Sequence, residues 1–472
     1  MNRNNEFSEL IGELEETPLK LDFTLERARL KLKEKKRRVR KAVFAPLGTA
    51  AAVFAIFVLL VNVSPTFAYA AGRVPLLREL AKFVAVSPSL SAAVENEYVQ
   101  PMGLEQTADG VTARIEYVIV DQKQLNIFYT MSSNSYEHLT ADPDISSADG
   151  SELEGFSVVF NDPGETNEKL HKITVDFPEG TMPDALKVTL RVIKSLASET
   201  GETGAPAKES SPESLYFPEN EAKPETITEI SFTLRFDSAY TATGEITTLN
   251  QKFILDSQKL TLQTAEIYPT HMRIVFDDDE SDTAWMTGLE FYVENENGEH
   301  FEGISNGVSA YGKKDSPMQQ QFMLESPFFS NSKHLTLYIT GVTWLDKDME
   351  KVHINLKNKT AEALPEGVRF VSSEKYYSDW LLRFTATALK ENYSQQVWGS
   401  YYYDAQGKRY EINAFTFTSV GSSYQEGISD EAVKNQFSIN LPLKDYPYDE
   451  VWLSPAYSRR VTLDAPLKIE IK

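Results

Sequence analysis

The stretch Ala42–Val63, AVFAPLGTAAAVFAIFVLLVNV, runs for 22 residues without a charge. As an α-helix it measures about 33 Å, against a bilayer hydrocarbon thickness of about 30 Å. Twelve of its positions are large and apolar. At roughly −0.3 to −0.6 kcal/mol each, they favour insertion by about 4–7 kcal/mol before Pro46, Gly48 and Asn62 are set against them. A buried helix of a soluble core keeps a polar face over such a length, and this one has none. The expectation is a single transmembrane helix at 42–63 that divides the chain into a short head and a long body.

The flanks orient it. Residues 22–41 carry ten Lys and Arg, whereas 64–83 carry three. The bias is densest at Lys35, Lys36, Arg37, Arg38, Arg40 and Lys41, which are expected to fix membrane topology with the N-terminus in the cytoplasm. Residues 1–41 hold 12 basic and 8 acidic residues, and the remainder 35 and 61. A head of net +4 thus precedes a body of net −26, expected outside the cell membrane. Ala68-Tyr69-Ala70 has the small-x-small pattern of a cleavage site, so cleavage stays open. The preceding 41 residues are long for a signal peptide, and the expectation is a retained anchor. With no cysteine among 472 residues, lipoprotein anchoring, disulfides, thiolate metal sites and a Cys nucleophile are excluded. A formal charge of −22 argues against direct nucleic-acid binding.

In the head, Phe7, Leu10, Ile11 and Leu14 fall at helical spacing, and Leu21 and Leu25 continue the pattern after Thr17-Pro18. Two short amphipathic helices bury little without a partner. Either these six residues dock a cytoplasmic protein, or the stripes lie on the anionic membrane surface. Forty-one residues are too few for a catalytic output domain. After the span, Ser64-Pro65 breaks the helix, and Val74–Val84 reads as a short amphipathic helix punctuated by Ser87-Pro88. It is expected either at the outer membrane boundary or packed under the first outer unit.

Several motifs then follow in order: Val63-Ser64-Pro65-Thr66-Phe67-Ala68, Val74-Pro75, Tyr98-Val99-Gln100-Pro101-Met102-Gly103, Gly110-Val111-Thr112, and the strands 113–120 and 125–131. Residues 35–135 resemble the bacterial membrane family called domain of unknown function 4179. Residues 228–360, with Ile254-Leu255-Asp256, Lys259-Leu260-Thr261-Leu262 and Ile267-Tyr268-Pro269-Thr270, are similar to the companion domain of unknown function 5643. The resemblance implies an anti-sigma-like regulator of an extracytoplasmic-function sigma factor.

Beyond residue 100 the pattern is alternating strands and turns, as in Leu186–Val192 and Ile230–Phe236. The segment 291–301 matches 400–410 as strand, Gly turn, strand. Gln321-Phe322 matches Gln436-Phe437, Leu337-Tyr338 matches Trp452-Leu453, and Val352-His353-Ile354 matches Leu467-Lys468-Ile469. The fold class expected is mainly β, with N-terminal helices and one transmembrane helix before tandem immunoglobulin-like β-sandwich modules. The expected organisation is a cytoplasmic helical head at 1–41, the span at 42–63 and a juxtamembrane segment at 64–100. Three sandwiches follow at 101–245, 246–362 and 363–472, the first with a mobile loop at 197–225.

Chemistry is sparse. His138, His171, His271, His300, His334 and His353 show no metal spacing, and no nucleophile elbow, phosphate loop or dinucleotide fingerprint occurs. Asp277-Asp278-Asp279-Glu280 with Asp282, and Asp142, Asp144 and Asp149, suit calcium no better than solvated loops. Aromatics crowd the end of the chain, from Tyr376 to Tyr457, and read as strand cores or a glycan-binding face. No enzyme activity, cofactor or metal is expected. The leading expectation is a single-pass anti-sigma regulator whose partners are the lipid bilayer, a sigma factor at the head, and an envelope ligand or protease. The alternative is a cell-surface binding or structural protein with a plain anchor.

Overall fold

The computed structural model describes residues 74–136, 139–161, 169–180, 182–194, 226–387, 396–412, 416–419 and 436–472. The head, the apolar stretch 42–63 and the loop 197–225 lie outside the described residues. Among those described, no helix is long and apolar enough to cross a membrane.

Two helices lead in: α1 (Val74–Phe83) and α2 (Pro88–Glu95), joined by a 3-10 turn at Val84–Val86. Ser87 caps α2 and Pro88 takes its first position, where a missing N–H costs nothing. Among the described residues everything after is strand, turn and short 3-10 segments, and the protein is mainly β. A first unit is built from β1 (Gln100–Ala108), β2 (Val111–Val120), β3 (Gln124–Ser133), β4 (Leu139–Ser147), β5 (Ser157–Asn161), β6 (His171–Asp176), β7 (Ala185–Lys194) and β8 (Thr226–Arg235). Its sheets run β1-β2-β3-β6-β5 and β4-β7-β8 and enclose one apolar core. Asp109 and Gly110, both at positive φ, make the two-residue turn that a tight β1–β2 hairpin needs.

A second core lies between β14-β15-β11-β10-β9 and β13-β12-β16-β26. Its strands are β9 (Glu245–Leu255), β10 (Gln258–Ile267), β11 (Met272–Asp278), β12 (Ala284–Asn295), β13 (His300–Phe301), β14 (Ala310–Gly312), β15 (Gln319–Leu324), β16 (Leu335–Asp346) and, from far along the chain, β26 (Arg459–Glu470). The third is formed by β17 (Val352–Asn355), β18 (Thr360–Ala361), β19 (Val368–Tyr376), β20 (Asp379–Thr387), β21 (Trp398–Tyr403), β22 (Arg409–Glu411), β23 (Thr416–Ser419), β24 (Gln436–Leu443) and β25 (Glu450–Pro455). Its sheets are β19-β20-β24-β23 and β18-β17-β25-β21-β22.

The three units repeat one plan. The orders β2-β3-β6-β5, β10-β11-β15-β14 and β19-β20-β24-β23 correspond, as do β4-β7-β8, β12-β16-β26 and β21-β25-β17. The boundary expected at 362/363 does not hold. After β16 the chain crosses at once to the third unit, where Ile354 pairs with Val451, and after β25 it returns, so that Ile469 pairs with Leu337. The matched segments 352–354 and 467–469 do occupy equivalent places, but each in the other's unit. Both are short alternating strands, and connections of a few residues suffice to carry either across. The third unit is therefore inserted between β16 and β26 of the second.

Candidate functional site

Burial in β2 and β3 departs from alternation. Tyr117 to Val120 and Leu125 to Phe128 are buried on both faces of the sheet. One face points into the first core, and the other is covered by the lead-in helices and the second unit. Leu80, Val84, Leu90 and Ala93 are buried, and Phe83 meets Phe128 edge to face with ring centroids 6.1 Å apart. Of the two expectations for the juxtamembrane helix, packing on the body is the one observed.

Beneath this strap lies a polar seam between the first and second units. Asp121, in the β2–β3 turn, uses Oδ1 to hold its own turn, accepting from the Lys123 and Gln124 amides at 2.8 and 2.9 Å. Its Oδ2 crosses the seam and accepts from the Thr270 amide at 3.0 Å and the Thr270 hydroxyl at 2.6 Å. Asn306, fully buried between β13 and β14, enters the first unit. Its Nδ2 donates to Gln124 Oε1 at 2.6 Å, and its Oδ1 accepts from Lys172 Nζ at 2.9 Å and Thr174 Oγ1 at 3.2 Å. Gln124 Nε2 donates to Asp176 Oδ1 at 2.7 Å, and the Val308 amide to Asp176 Oδ2 at 3.2 Å. Gly307, at φ +90, must be glycine: a Cβ there would stand 2.6 Å from Asp176 Oδ2. Arg273 is buried; its Nε donates to Glu266 Oε2 at 2.9 Å and its Nη1 to the Pro178 carbonyl of the first unit at 2.7 Å.

The charges in the seam are tuned by burial. Removal from water pushes the Asp176 carboxyl up from its ordinary range, against hydrogen bonds from Gln124 and Val308. It pushes the wholly buried His271 imidazole down, against the fields of Asp121 and Asp176. It also lowers Lys172. In Glu266 burial acts upward, but Arg273 and the Tyr268 hydroxyl outweigh it and hold the carboxyl below its usual range. Fully satisfied networks of this kind fix one arrangement of the two surfaces, because any other leaves buried groups unpaired.

The strap is fastened to both units. Glu325, 5 % exposed just after β15, accepts at Oε2 from the Ser89 amide at 2.8 Å and from the Ser87 and Ser89 hydroxyls. Its Oε1 accepts from the Ser305 amide at 3.0 Å and hydroxyl at 2.9 Å. Ser89 Oγ in turn accepts from the Ser326 amide at 2.6 Å, and the single Ser305 hydroxyl proton is shared between Glu325 Oε1 and the Val86 carbonyl at 3.0 Å. At the far end Tyr98 donates its hydroxyl to the Tyr240 carbonyl at 2.7 Å, accepts from the Ala242 amide at 2.8 Å, and packs on Phe329. A cleft of about 520 Å³ opens beside α2, walled by Val86, Ala92, Phe301, Glu302, Phe329 and Ser330.

The residues singled out for partner docking, Phe7, Leu10, Ile11, Leu14, Leu21 and Leu25, lie outside the described residues, as do Lys35, Lys36, Arg37, Arg38, Arg40 and Lys41. The acidic loops have internal uses. Lys313 Nζ stands 2.6 Å from both Asp277 and Asp278, Asp282 accepts from the Lys259 amide at 2.8 Å, and Asp142 pairs with Arg191 at 2.9 Å. Among the described residues no three His, Asp or Glu converge as a metal set. The late aromatics divide. Trp380, Trp398, Tyr402, Tyr446 and Tyr457 are core, whereas Tyr401 and Tyr403 on the outer face have ring faces covered by Arg409 and Lys351 at 4.4 and 4.0 Å. Trp452 stacks on His353. Of the seam residues, the sequence reading named Thr270, within a family motif, and His271, among histidines without metal spacing, and gave neither a functional role. The seam's one signal was the unbroken apolar character of Tyr117–Val120, which marks a strand covered on both faces.

Comparison with known proteins places these observations. Residues 35–133 match the family described as Domain of unknown function (DUF4179), and residues 244–366 match the Family of unknown function (DUF5643). The two resemblances read from sequence are thus present, in order. The first match holds α1, α2 and β1 to β3, the second holds β9 to β18, and the contacts Asp121–Thr270, Gln124–Asn306 and Ser89–Glu325 each join one to the other. Among solved structures, a conserved domain protein from Bacillus anthracis is similar over 56% of this chain and 85% of its own, at 14% identity and a TM-score of 0.36. No curated protein matches.

Proposed function

We propose that the chain is a single-pass membrane regulator of the anti-sigma type. In this reading residues 42–63 span the cell membrane, and the head at 1–41 holds an extracytoplasmic-function sigma factor in the cytoplasm. The β body stands outside and meets an envelope ligand or protease. The body has no catalytic role in this scheme. Its units are immunoglobulin-like, a reading supported by the strand orders β2-β3-β6-β5 and β4-β7-β8, which correspond to the two sheets of seven-stranded immunoglobulin domains.

One observation carries the proposal. From Val74, a short way beyond the expected span, the chain folds as α1 and α2 onto the joint between two units of the body. A plain anchor needs no such fit. A regulator does, because a change in the body must reach the membrane through packed elements. A bacterial two-hybrid assay of residues 1–41 against the sigma factor encoded beside the protein tests it. Interaction that is lost on changing Leu10 and Leu14 to Asp is expected. Absence of interaction removes the sigma-binding role and leaves a cell-surface β protein with a membrane anchor.

A further inference from the structure

We propose that residues 79–98 form a releasable clasp across the first two β units, with Glu325 as its catch. The inference rests on the regulatory reading above only for its purpose; its physical content stands on the fastening itself.

The clasp touches both units and closes over their seam. On the first unit it has the Phe83–Phe128 contact, and Tyr98 reaches the segment that leaves β8. On the second it has Ser87 and Ser89 on Glu325, Ser89 on Ser326, Val86 on Ser305, and Tyr98 on Phe329. The attachment is concentrated. Glu325 gathers two backbone amides and three hydroxyls on two oxygens, and it sits at the N-terminus of α2, where carboxylates are favoured by the exposed amides and the helix dipole. Four apolar side chains, Leu80, Val84, Leu90 and Ala93, complete the hold. By contrast, each β unit it joins has an apolar core of twenty or so residues of its own. The clasp is the low-stability element of the assembly and opens before the units do. Val86, 78 % exposed between α1 and α2, already faces solvent at the cleft. Opening uncovers Phe128 and the outer face of β2 and β3, and it frees the chain next to the expected span to move relative to the body.

Glu325→Gln tests the catch. Each carboxylate oxygen faces a backbone N–H that cannot turn away, that of Ser89 or that of Ser305. A glutamine keeps the size of the side chain but sets its NH₂ against one of those amides in either orientation. The measurement is hydrogen exchange by mass spectrometry on the purified full-length chain, with Glu302→Gln, an exposed carboxylate on the same cleft, as control. The expected result is at least tenfold faster exchange of the amides of 89–96 in Glu325→Gln, with β2, β3, β10 and β11 unchanged and the control like the parent. Ser89→Ala, which leaves the charge and the Ser305 contacts in place, gives the same pattern if Glu325→Gln fails to fold. Two results overturn the clasp: exchange at 89–96 unchanged in both variants, or acceleration of clasp and strands by the same factor. A variant that releases 89–96 in a chain whose head binds no sigma factor would refute the proposed function and leave the clasp intact.

Discussion

Ile469 lies three residues from the last residue of the sequence, yet it belongs to the middle unit. It is 2 % exposed in the second core, opposite Leu337, and the tail is held by hydrogen bonds between Leu335 and residues Ile471 and Lys472. Ile354 is its counterpart: fully buried in the third core, though only eight residues beyond the end of β16. Truncating a buried Ile to Ala costs about 2–5 kcal/mol. At about 1.4 kcal/mol per factor of ten, opening of the affected unit becomes roughly 30- to several-thousand-fold more frequent. Hydrogen exchange of the full chain reads where this happens. Ile469→Ala is expected to accelerate β10, β11, β12, β15 and β16 and to spare β19, β20 and β24. Ile354→Ala is expected to do the reverse. If Ile469→Ala loosened β19 to β25 and left β10 to β16 protected, the crossed placement of β17 and β26 would be refuted, and the units would follow one another as the sequence order suggests.

Acidification acts on the seam through His271. Burial lowers its pKa below 6.5, so as the pH falls below about 6.5 the unfolded chain gains a proton that the folded chain refuses, and stability declines. Asp176 has the opposite sign: its raised pKa makes its contribution largest below 3.8 and smaller as the pH rises through the folded value. Thermal melts between about pH 7.5 and 5.5 should therefore show a decline that His271→Gln reduces by up to about 1.4 kcal/mol per pH unit; parallel slopes in parent and variant would refute the assignment. Arg273→Met leaves Glu266 buried without its cation and is expected to destabilise by about 3–5 kcal/mol in denaturant unfolding, most of it recovered when Glu266→Leu is added. Gly307→Ala forces a Cβ against Asp176 at a positive φ, so it should lower the melting temperature by several degrees while Gly298→Ala, in open space, has a smaller effect.

Much of the strand content was legible because strands with one face towards solvent betray their period. β8 alternates in burial along its length, and the hairpin of β12 and β13 recurs as β21 and β22 at the spacing the repeat predicted. What the residues do not encode locally is choice of partner. Val352–Ile354 and Leu467–Ile469 are interchangeable as patterns, and only the long-range geometry of β16 and β25 decides which sheet each completes. The seam was illegible for a related reason. Asp121, Thr270, Asn306 and Gly307 sit in turns, where polar residues and glycine are the ordinary expectation, and nothing in a turn announces that it is buried. Glu325 likewise reads as one more acid in an acidic chain.

The insertion of the third unit changes what the body is able to transmit. A bead joined by one linker can swing without disturbing its neighbour. The third unit is joined by two crossings that leave and re-enter adjacent strands, β16 and β26, and the re-entry is bonded along its length. The Ser458 amide donates to the Trp344 carbonyl at 2.7 Å, Ser458 Oγ and Arg459 Nε donate to Asp346 at 2.7 and 3.1 Å, and the Arg460 amide donates to Glu366 at 2.9 Å. A displacement of the third unit is thus applied to the β16–β26 pairing itself, not to a free loop. That pairing closes the second core, whose opposite sheet carries β11 and β15, and these lead directly to Arg273 and to Glu325. The path from the far unit to the clasp consists of packed strands, with exposed and half-buried hydrogen bonds at the crossing and buried ones at the clasp. Coupling along it requires only that the clasp have two arrangements, docked and free, and its few attachments supply the difference between them.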